Sequence, residues 1–248
     1  MRFIVMHKVD AGMEAGERPS QDIIRNMGGL VGEGLKSGVF VDGAGLHRSA
    51  RRVRLRASGG ACEVTRGPYA GENELVTSFA MIKTRSIDEA IEHGRRVAGA
   101  IGDCEIEIGP VVEGWDITGS PRPAHIDHER FLLLLKGDAA SEAGMPRSAA
   151  VRASIDGIMN DAKKSGVLLS AESLAPTAKA TRLPAGPKGK RAWVDGPFTE
   201  SKELIAGFSV LRVESMKDAL AWADRYAAIL DGNEVDVRAV RDPAGFAV

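Results

Sequence analysis

Cysteine and aromatic residues are scarce in this sequence of 248 residues. Cysteine occurs twice, as Cys62 and Cys104, and Phe, Trp and Tyr together make up 5% of the chain. Two cysteines in the first half of the chain do not make the dense disulfide framework of a small secreted domain. The sequence therefore predicts two free thiols in a reducing compartment.

Neither sign of charge dominates, and no long apolar run is present. Thirty-three basic residues stand against thirty-four acidic ones, a formal net charge of −1 at pH 7. This balance argues against bulk electrostatic attachment to nucleic acid or to an anionic membrane. No run approaches the ~18 apolar residues that a membrane span needs, and the N-terminal run reaches a charge too early for a signal peptide. We expect a cytoplasmic protein with neither a nucleic-acid nor a membrane partner.

The familiar cofactor and catalytic motifs are also missing. The sequence contains no GxGxxG after a strand, no Walker lysine loop, no GxSxG elbow and no CxxC. His125 and His128, separated by Ile126 and Asp127, resemble a metal-ligand cluster, but no further ligand group supports it. A solvated linker is the simpler interpretation, and the sequence predicts no cofactor and no metal.

What the sequence does contain is one motif in two versions. The clear version is Asp-Gly-Pro-Phe-Thr-Glu-Ser-Lys-Glu at Asp195–Glu203, which runs into the apolar stretch Leu204–Phe208. A fainter version is Arg-Gly-Pro-Tyr at Arg66–Tyr69, which leads to Leu75–Phe79. The two versions lie 129 positions apart. The chain therefore reads as two versions of one unit.

The similarity extends on both sides of the motif. The apolar runs Arg2–Lys8 and Arg130–Lys136 lie 128 positions apart and predict buried strands. A helical segment ending in Ser-Gly-Val follows each of them, and the glycine is typical of a helix stop. After the motif each unit predicts a strand, a capped helix and a short alternating strand. The serines that we expect to cap the four helices are Ser20, Ser86, Ser148 and Ser215.

Each unit is thus predicted to be β-α-β-β-(β)-α-β, a ferredoxin-like arrangement with one extra strand. Helices cover one face of such an antiparallel sheet, and the other face needs a partner. We predict an α+β fold in which the two repeats pack sheet to sheet as a pseudo-dimer, with the first repeat at 1–111, a linker at 112–129 and the second repeat at 130–248. Such a chain would be a pseudo-dimeric monomer or a homodimer.

The motif at Asp195–Glu203, with Gly207 and Phe208 after it, resembles the signature of the DGPF, or YCII-related, proteins. That resemblance implies a ferredoxin-like fold of the dimeric α/β-barrel type, with the tandem repeat supplying both halves. Smaller YCII-like proteins carry an aspartate and a histidine suggested to act as a catalytic pair, and relatives of the fold include isomerases, monooxygenases and dehalogenases. DGPF proteins mostly lack an established activity, and some are linked to alternative sigma factors. The motif aspartate corresponds to Asp195, but no histidine lies on either first helix.

The candidate site residues follow from the motif. Asp195 ends a strand before Gly-Pro, where a carboxylate could serve as a general base in a cleft or accept hydrogen bonds within its own turn. Gly196, Pro197 and Phe198 would line the same pocket. Arg66 stands where the second unit has Asp195, and it either completes one polar pocket across the pseudo-dimer or reflects a lost site.

Two further groups of side chains are candidates. His7 lies in the first strand and is the histidine expected nearest a cavity. The basic residues Arg52, Arg54 and Arg56 alternate along one strand face. They suit an anionic ligand or an RNA patch, but no aromatic side chains are interleaved to stack bases, and the expectation is a solvated strand edge guarded by charge.

Three functions remain open. The leading hypothesis is a protein that binds a small molecule in a cavity near Asp195, with at most weak or vestigial activity. A second is a cofactor-independent isomerase or lyase with Asp195 as acid or base. A third is a regulatory module that binds a protein partner through an exposed sheet edge or apolar patch.

Overall fold

The computed structural model describes residues 1–187, 190–230 and 232–241. Within these ranges lie twelve strands and seven α-helices. The strands are β1 (Arg2–Lys8), β2 (Phe40–Leu46), β3 (Val53–Ser58), β4 (Ala61–Arg66), β5 (Val76–Thr84), β6 (Cys104–Val112), β7 (Glu129–Lys136), β8 (Leu168–Ser173), β9 (Ala180–Leu183), β10 (Val194–Asp195), β11 (Ile205–Arg212) and β12 (Val235–Ala239). The helices are α1 (Ala11–Ala15), α2 (Gln21–Ser37), α3 (Ile87–Ile101), α4 (Gly114–Thr118), α5 (Ala139–Glu142), α6 (Ala149–Lys164) and α7 (Met216–Ile229).

The strands form one large antiparallel sheet. Their order is β10-β9-β12-β1-β11-β2-β6-β7-β5-β8, with β3 paired to β6 and β4 paired to β3. The junction between β2 and β6 consists of two residue pairs, Gly45 with Val112 and Leu46 with Val111. It joins two six-stranded parts, called here the β1 part and the β7 part after a central strand of each. The fold is mixed α+β, as predicted, and the strand order does not close into a barrel.

Each part takes strands from both halves of the chain. In the β1 part, β1 lies between β11 and β12, and β2 pairs with β11. In the β7 part, β7 lies between β5 and β6, and β8 pairs with β5. β1 and β2 from the first half of the chain therefore join β9–β12 from the second half. In the same way β7 and β8 from the second half join β3–β6 from the first half. The repeat boundaries at 111 and 130 stay a prediction.

Three apolar cores hold the sheet and helices together. One contains side chains from strands and the segments next to them, such as Ile4 and Leu132, and no helix residue. The other two lie beneath helices, one under α2 and α7 and one under α3 and α6. Along β1 the side chains alternate between cores, because Phe3 and Val5 point to the α2–α7 side while Ile4 and Met6 point away from it. β1 is thus buried on both faces, as its apolar run predicts.

The four long helices begin where the sequence predicts. At each of Ser20, Ser86, Ser148 and Ser215, the side-chain oxygen accepts a hydrogen bond from the backbone N–H three residues later. Gly38 adopts a φ of 72° and ends α2, in the left-handed conformation that glycine tolerates best. Among the described residues, no helix is both long and apolar enough to cross a bilayer.

Candidate functional site

The two Gly-Pro turns have the same backbone geometry. The peptide bonds Gly67–Pro68 and Gly196–Pro197 are both cis. A Cβ added at Gly67 would lie 1.8 Å from the Ser49 carbonyl oxygen, and one at Gly196 would lie 1.8 Å from the Thr177 carbonyl oxygen. Both distances are far below van der Waals contact, so each turn accepts only glycine at this position.

A hydroxyl and a carboxylate hold each turn in place. Ser49 donates its backbone N–H and its hydroxyl to the Glu14 carboxylate, and its Oγ accepts the Tyr69 N–H at 3.3 Å. In the second half Thr177 donates its N–H and its hydroxyl to Glu142 at 2.8 and 2.5 Å. Its Oγ1 accepts the Phe198 N–H at 3.2 Å. The same clamp therefore occurs twice.

An arginine packs on the aromatic ring that follows each Gly-Pro. The Arg54 guanidinium lies 4.4 Å from the ring centroid of Tyr69, and that of Arg182 lies 4.2 Å from the ring centroid of Phe198. These are cation–π contacts, which strengthen as they lose water. Each turn thus covers the charged end of an arginine that comes from the sheet.

Beneath the first turn lies a buried group of charged side chains, called here the first cluster: Arg52, Arg54, Glu74, Glu107 and Lys136. Arg52 lies 2.9 Å from Glu107, and Arg54 lies 2.7 Å from Glu74. Lys136 pairs with Glu74 and lies 3.5 Å from Glu107. The side chains of Glu74 and Glu107 are both fully buried. Buried charges persist when they are paired in this way.

The first cluster overturns one expectation from the sequence. Arg52 and Arg54 were predicted on a solvated strand edge, but they are 1% and 5% exposed, and only Arg56 of that row is largely exposed. The prediction was wrong because β3 is not an edge strand: it lies between β4 and β6. The carboxylates that neutralise its arginines come mainly from β6 and from the segment before β5.

The second turn covers a smaller group, called here the second cluster: Lys8, Arg182, Glu234 and Asp236. Arg182 lies 2.6 Å from Asp236 and 3.4 Å from Glu234, and Lys8 lies 3.6 Å from Asp236. Burial lowers the pKa of Lys8 while Asp236 opposes that change. Burial also lowers the pKa of Lys136 in the first cluster, well below its ordinary value, and Arg54 adds to the effect.

The predicted site residues do not converge on one place. Asp195 is exposed on β10 and accepts a hydrogen bond from the Thr181 hydroxyl at 3.1 Å. Gly196 and Pro197 form the cis turn, and Phe198 packs under Arg182. β10 stands at one end of the strand order, and β4, which carries Arg66, ends a separate branch. No hydrogen bond or ion pair joins Asp195 to Arg66 in the described part of the chain.

His7 is buried at the end of β1 and faces α7. Its Nδ1 and the Tyr226 hydroxyl lie 2.7 Å apart, and the rings meet edge to face at 5.6 Å. Burial lowers the pKa of His7 to about 4, although the Asp10 carboxylate opposes the change. The imidazole is therefore neutral at pH 7. A Cβ at Gly207 on β11 would lie 2.6 Å from the His7 ring, so the histidine fills the space left by that glycine.

Arg66 borders a groove of about 700 Å³, called here the α3–β4 groove. Val64 and Arg66 form one wall from β4, and Ile91 and His93 belong to the α3 wall. The remaining lining residues are Thr84, Asp88, Glu89, Glu92, Arg95, Arg96 and Val167. His93 is 7% exposed, and its Nε2 has no hydrogen-bond partner among the described residues. Burial and the nearby Arg96 lower the pKa of His93, which favours the neutral ring.

Sequence reasoning missed the carboxylates that hold the turns and the lysines of the two clusters. The available signal was charge repeated inside apolar strands. Lys8 matches Lys136 at an offset of 128, and Asp236 matches Glu107 at an offset of 129. A charge kept at the same place in two buried strands indicates an internal partner, because an unpaired buried charge is costly.

Comparison with known proteins bears on the second half of the chain. No curated protein matches the sequence. The family model of the YCII-related domain matches residues 130–242. That range begins in β7 and includes the Asp195–Glu203 motif, the clear version of the repeated motif. A YCII-related domain is therefore found at residues 130–242 of the chain.

Proposed function

We propose that this protein binds a small molecule in the α3–β4 groove and has at most weak or vestigial enzymatic activity. The observation that carries the proposal is a groove of about 700 Å³ with Arg66 at its border and the buried His93 in its wall. Val64, Ile91 and Val167 supply apolar surface. Ligand sites commonly combine such surface with a few polar groups that orient the ligand.

The second half of the chain has a tryptophan at the position that corresponds to Val64 of the groove. The residue 129 positions after Val64 is Trp193. Its ring packs against the core beneath α7, and its Nε1 donates a hydrogen bond to Asp224 on α7 at 2.7 Å. We infer that the indole fills the space that corresponds to the α3–β4 groove. One half then has a binding groove, and the other has a tryptophan in its place.

Two other functions have less support. An isomerase or lyase with Asp195 as acid or base needs a sheltered carboxylate with a proton-transfer partner, whereas Asp195 is exposed beside a threonine hydroxyl. A regulatory interaction module needs a contiguous apolar patch. Of the large exposed apolar residues in the described part of the chain, Met1 and Met145 lie outside any helix or strand, and the others lie on five different elements: Leu35, Val41, Ile117, Leu169 and Val194.

We also propose that the chain is a tandem of DGPF-type, ferredoxin-like repeats arranged as a pseudo-dimer. The repeated clamp supports this, with Glu14 and Ser49 in one half and Glu142 and Thr177 in the other. In this arrangement each repeat gives its first strand, helix and second strand to the sheet of the other repeat. A homodimer, a protein partner and a cytoplasmic location stay predictions from the sequence.

Native mass spectrometry on freshly purified protein tests the binding proposal. The informative variants are Val64→Trp, which places in the groove the residue that the other half has, and Trp193→Val, the reverse change. We expect a small-molecule mass on the wild type and on Trp193→Val, and its loss from Val64→Trp. If the small-molecule mass is retained in Val64→Trp but lost in Asp195→Ala, the ligand binds at the second turn and not in the α3–β4 groove.

A further inference from the structure

The acidic side chains around the α3–β4 groove already have donors. Asp88 accepts a hydrogen bond from Arg66 at 2.5 Å, and Glu92 lies 3.6 Å from Arg95 one turn along α3. Glu89 Oε2 accepts the backbone N–H of Arg85 at 2.9 Å. A cationic ligand would therefore have to compete with existing partners for each carboxylate.

The basic side chains are not all paired. Arg96 is exposed and has no ion-pair partner in the described part of the chain. It follows His93 by three residues, so both side chains lie on the same side of α3. Arg66 is 56% exposed, and its contact with the 75% exposed Asp88 is a surface ion pair, which contributes little stability and opens easily. Among the described residues that line the groove, Arg96 is thus a cation without an ion pair, and Arg66 and Arg95 are cations in surface pairs from which a stronger acceptor can recruit them.

We propose that the ligand of this groove is a small carboxylate with an apolar body. This inference rests on the proposed function and deepens it. The carboxylate pairs with the Arg96 guanidinium, with Arg66 as a second donor, and the body lies against Ile91 and Val64. A guanidinium and a carboxylate form two parallel hydrogen bonds, which fixes the orientation of the ligand as well as its charge.

The experiment compares benzoate with benzamide, which has the same ring and nearly the same shape but no charge. Binding is followed by NMR on isotope-labelled protein, through the His93 ring and the methyl groups of Val64 and Ile91. We expect benzoate to bind with a Kd about tenfold lower than that of benzamide, the size of effect typical of a charge-assisted hydrogen bond. Benzoate and not benzamide should raise the pKa of His93, because a nearby anion favours the charged ring.

Two variants separate charge from structure. Arg96→Gln should weaken benzoate binding towards the level of benzamide, with Arg66 supplying any remaining preference, and leave benzamide unaffected. The matched control is Arg225→Gln on α7, because Arg225 lies 129 positions after Arg96 and pairs with Glu33 instead. The control should change neither affinity.

The possible outcomes distinguish the two proposals. Equal binding of benzoate and benzamide in the groove would overturn the carboxylate inference and leave the binding function standing. A preference for benzoate that is undiminished in Arg96→Gln would overturn the assignment to Arg96. Absence of shifts at His93, Val64 and Ile91 with both probes up to their solubility limits would overturn the carboxylate inference. A small-molecule mass that persists in Val64→Trp would overturn both proposals.

Discussion

The regions around the two Gly-Pro turns share the clamp of a hydroxyl and a carboxylate, but their buried arginines come from positions that do not correspond. In the first half Arg52, next to β3, donates from Nε to the His47 carbonyl oxygen at 2.5 Å. In the second half the corresponding carbonyl belongs to Ala175, and it accepts from Nε of Arg238 on β12 at 3.1 Å. The position that corresponds to Arg52 is Ala180, and the position that corresponds to Arg238 is Gly109.

The geometry of paired strands explains this exchange. Arg238 lies directly opposite Ala180 in the antiparallel pairing of β12 and β9. A Cβ at Gly109 would lie 3.7 Å from Cδ of Arg52, so the two positions share one space in the first half as well. Side chains opposite each other in a sheet compete for the same volume. In both regions, therefore, an arginine side chain fills the corresponding space and donates a hydrogen bond to the corresponding carbonyl oxygen. The arginine can come from either of the two facing positions.

The largest expected effect comes from removing the central carboxylate of each cluster. Glu107→Gln should lower the free energy of unfolding by about 3–5 kcal/mol, because cations of the first cluster are left buried without full compensation. Asp236→Asn should cost less, since Glu234 remains to interact with both Arg182 and Lys8, whereas Glu107→Gln removes the ion-pair partner of Arg52. Urea denaturation of both variants at neutral pH measures the difference. Equal losses, or a loss below about 1 kcal/mol for Glu107→Gln, would mean that the clusters contribute alike or hardly at all.

The glycines of the two turns test whether the clamps are equivalent. Gly67→Ala and Gly196→Ala should each destabilise the protein by about 3 kcal/mol, because the new methyl group overlaps a carbonyl oxygen. Thermal and urea unfolding give both values. The control is Gly99→Ala on α3, where a Cβ meets nothing within 4 Å and helix propensity favours alanine by up to about 1 kcal/mol. A large gap between the two turn variants would contradict their equivalence.

Of the two central strands, β1 carries a titratable histidine, His7, where β7 has Leu135. His7 should therefore make the stability of the protein depend on pH. The folded pKa of about 4 lies below the ordinary 6.5, so below pH 6.5 the unfolded chain binds a proton that the folded chain refuses. Stability is therefore lost as the pH falls from 6.5 towards 4, by up to about 3 kcal/mol.

Stability measured by urea denaturation across that pH range tests the effect of His7. His7→Leu should flatten the dependence, and pairing it with Tyr226→Phe removes the hydroxyl that would otherwise lose its partner. An unchanged slope in the double variant would assign the acid sensitivity to other groups.

The smallest expected effect comes from moving the arginine between strands. Arg52→Ala should cost about 2 kcal/mol, typical of a lost hydrogen bond that involves a charged group, because Glu107 keeps Arg54 and Lys136 as partners. Adding Gly109→Arg copies the arrangement of Ala180 and Arg238 and should recover at least part of that loss. A double-mutant cycle on unfolding free energies gives the coupling. If Gly109→Arg is as harmful with Arg52→Ala as without it, the two positions do not share one space.

Features that depend on nearby residues could be predicted from the sequence. Ser86 caps α3 because its acceptor and the Glu89 N–H are three residues apart, and no distant contact is needed to place them. The Gly-Pro turns and the strands that follow them were likewise recognised from local pattern and from the repeat. The YCII-related domain was recognised from the motif around Asp195 and matches residues 130–242.

Other features depended on contacts between distant parts of the chain. The sequence by itself determined where the elements begin and which carry apolar faces. It did not show that β1 inserts between β11 and β12, that Arg52 and Arg54 are buried, or that Val64 borders a groove where the other half has Trp193. Caps and turns depend on atoms a few residues apart, whereas the burial of a strand residue depends on which strand, turn or helix from elsewhere in the chain covers it. The segment that covers each strand residue is therefore known only from the tertiary structure.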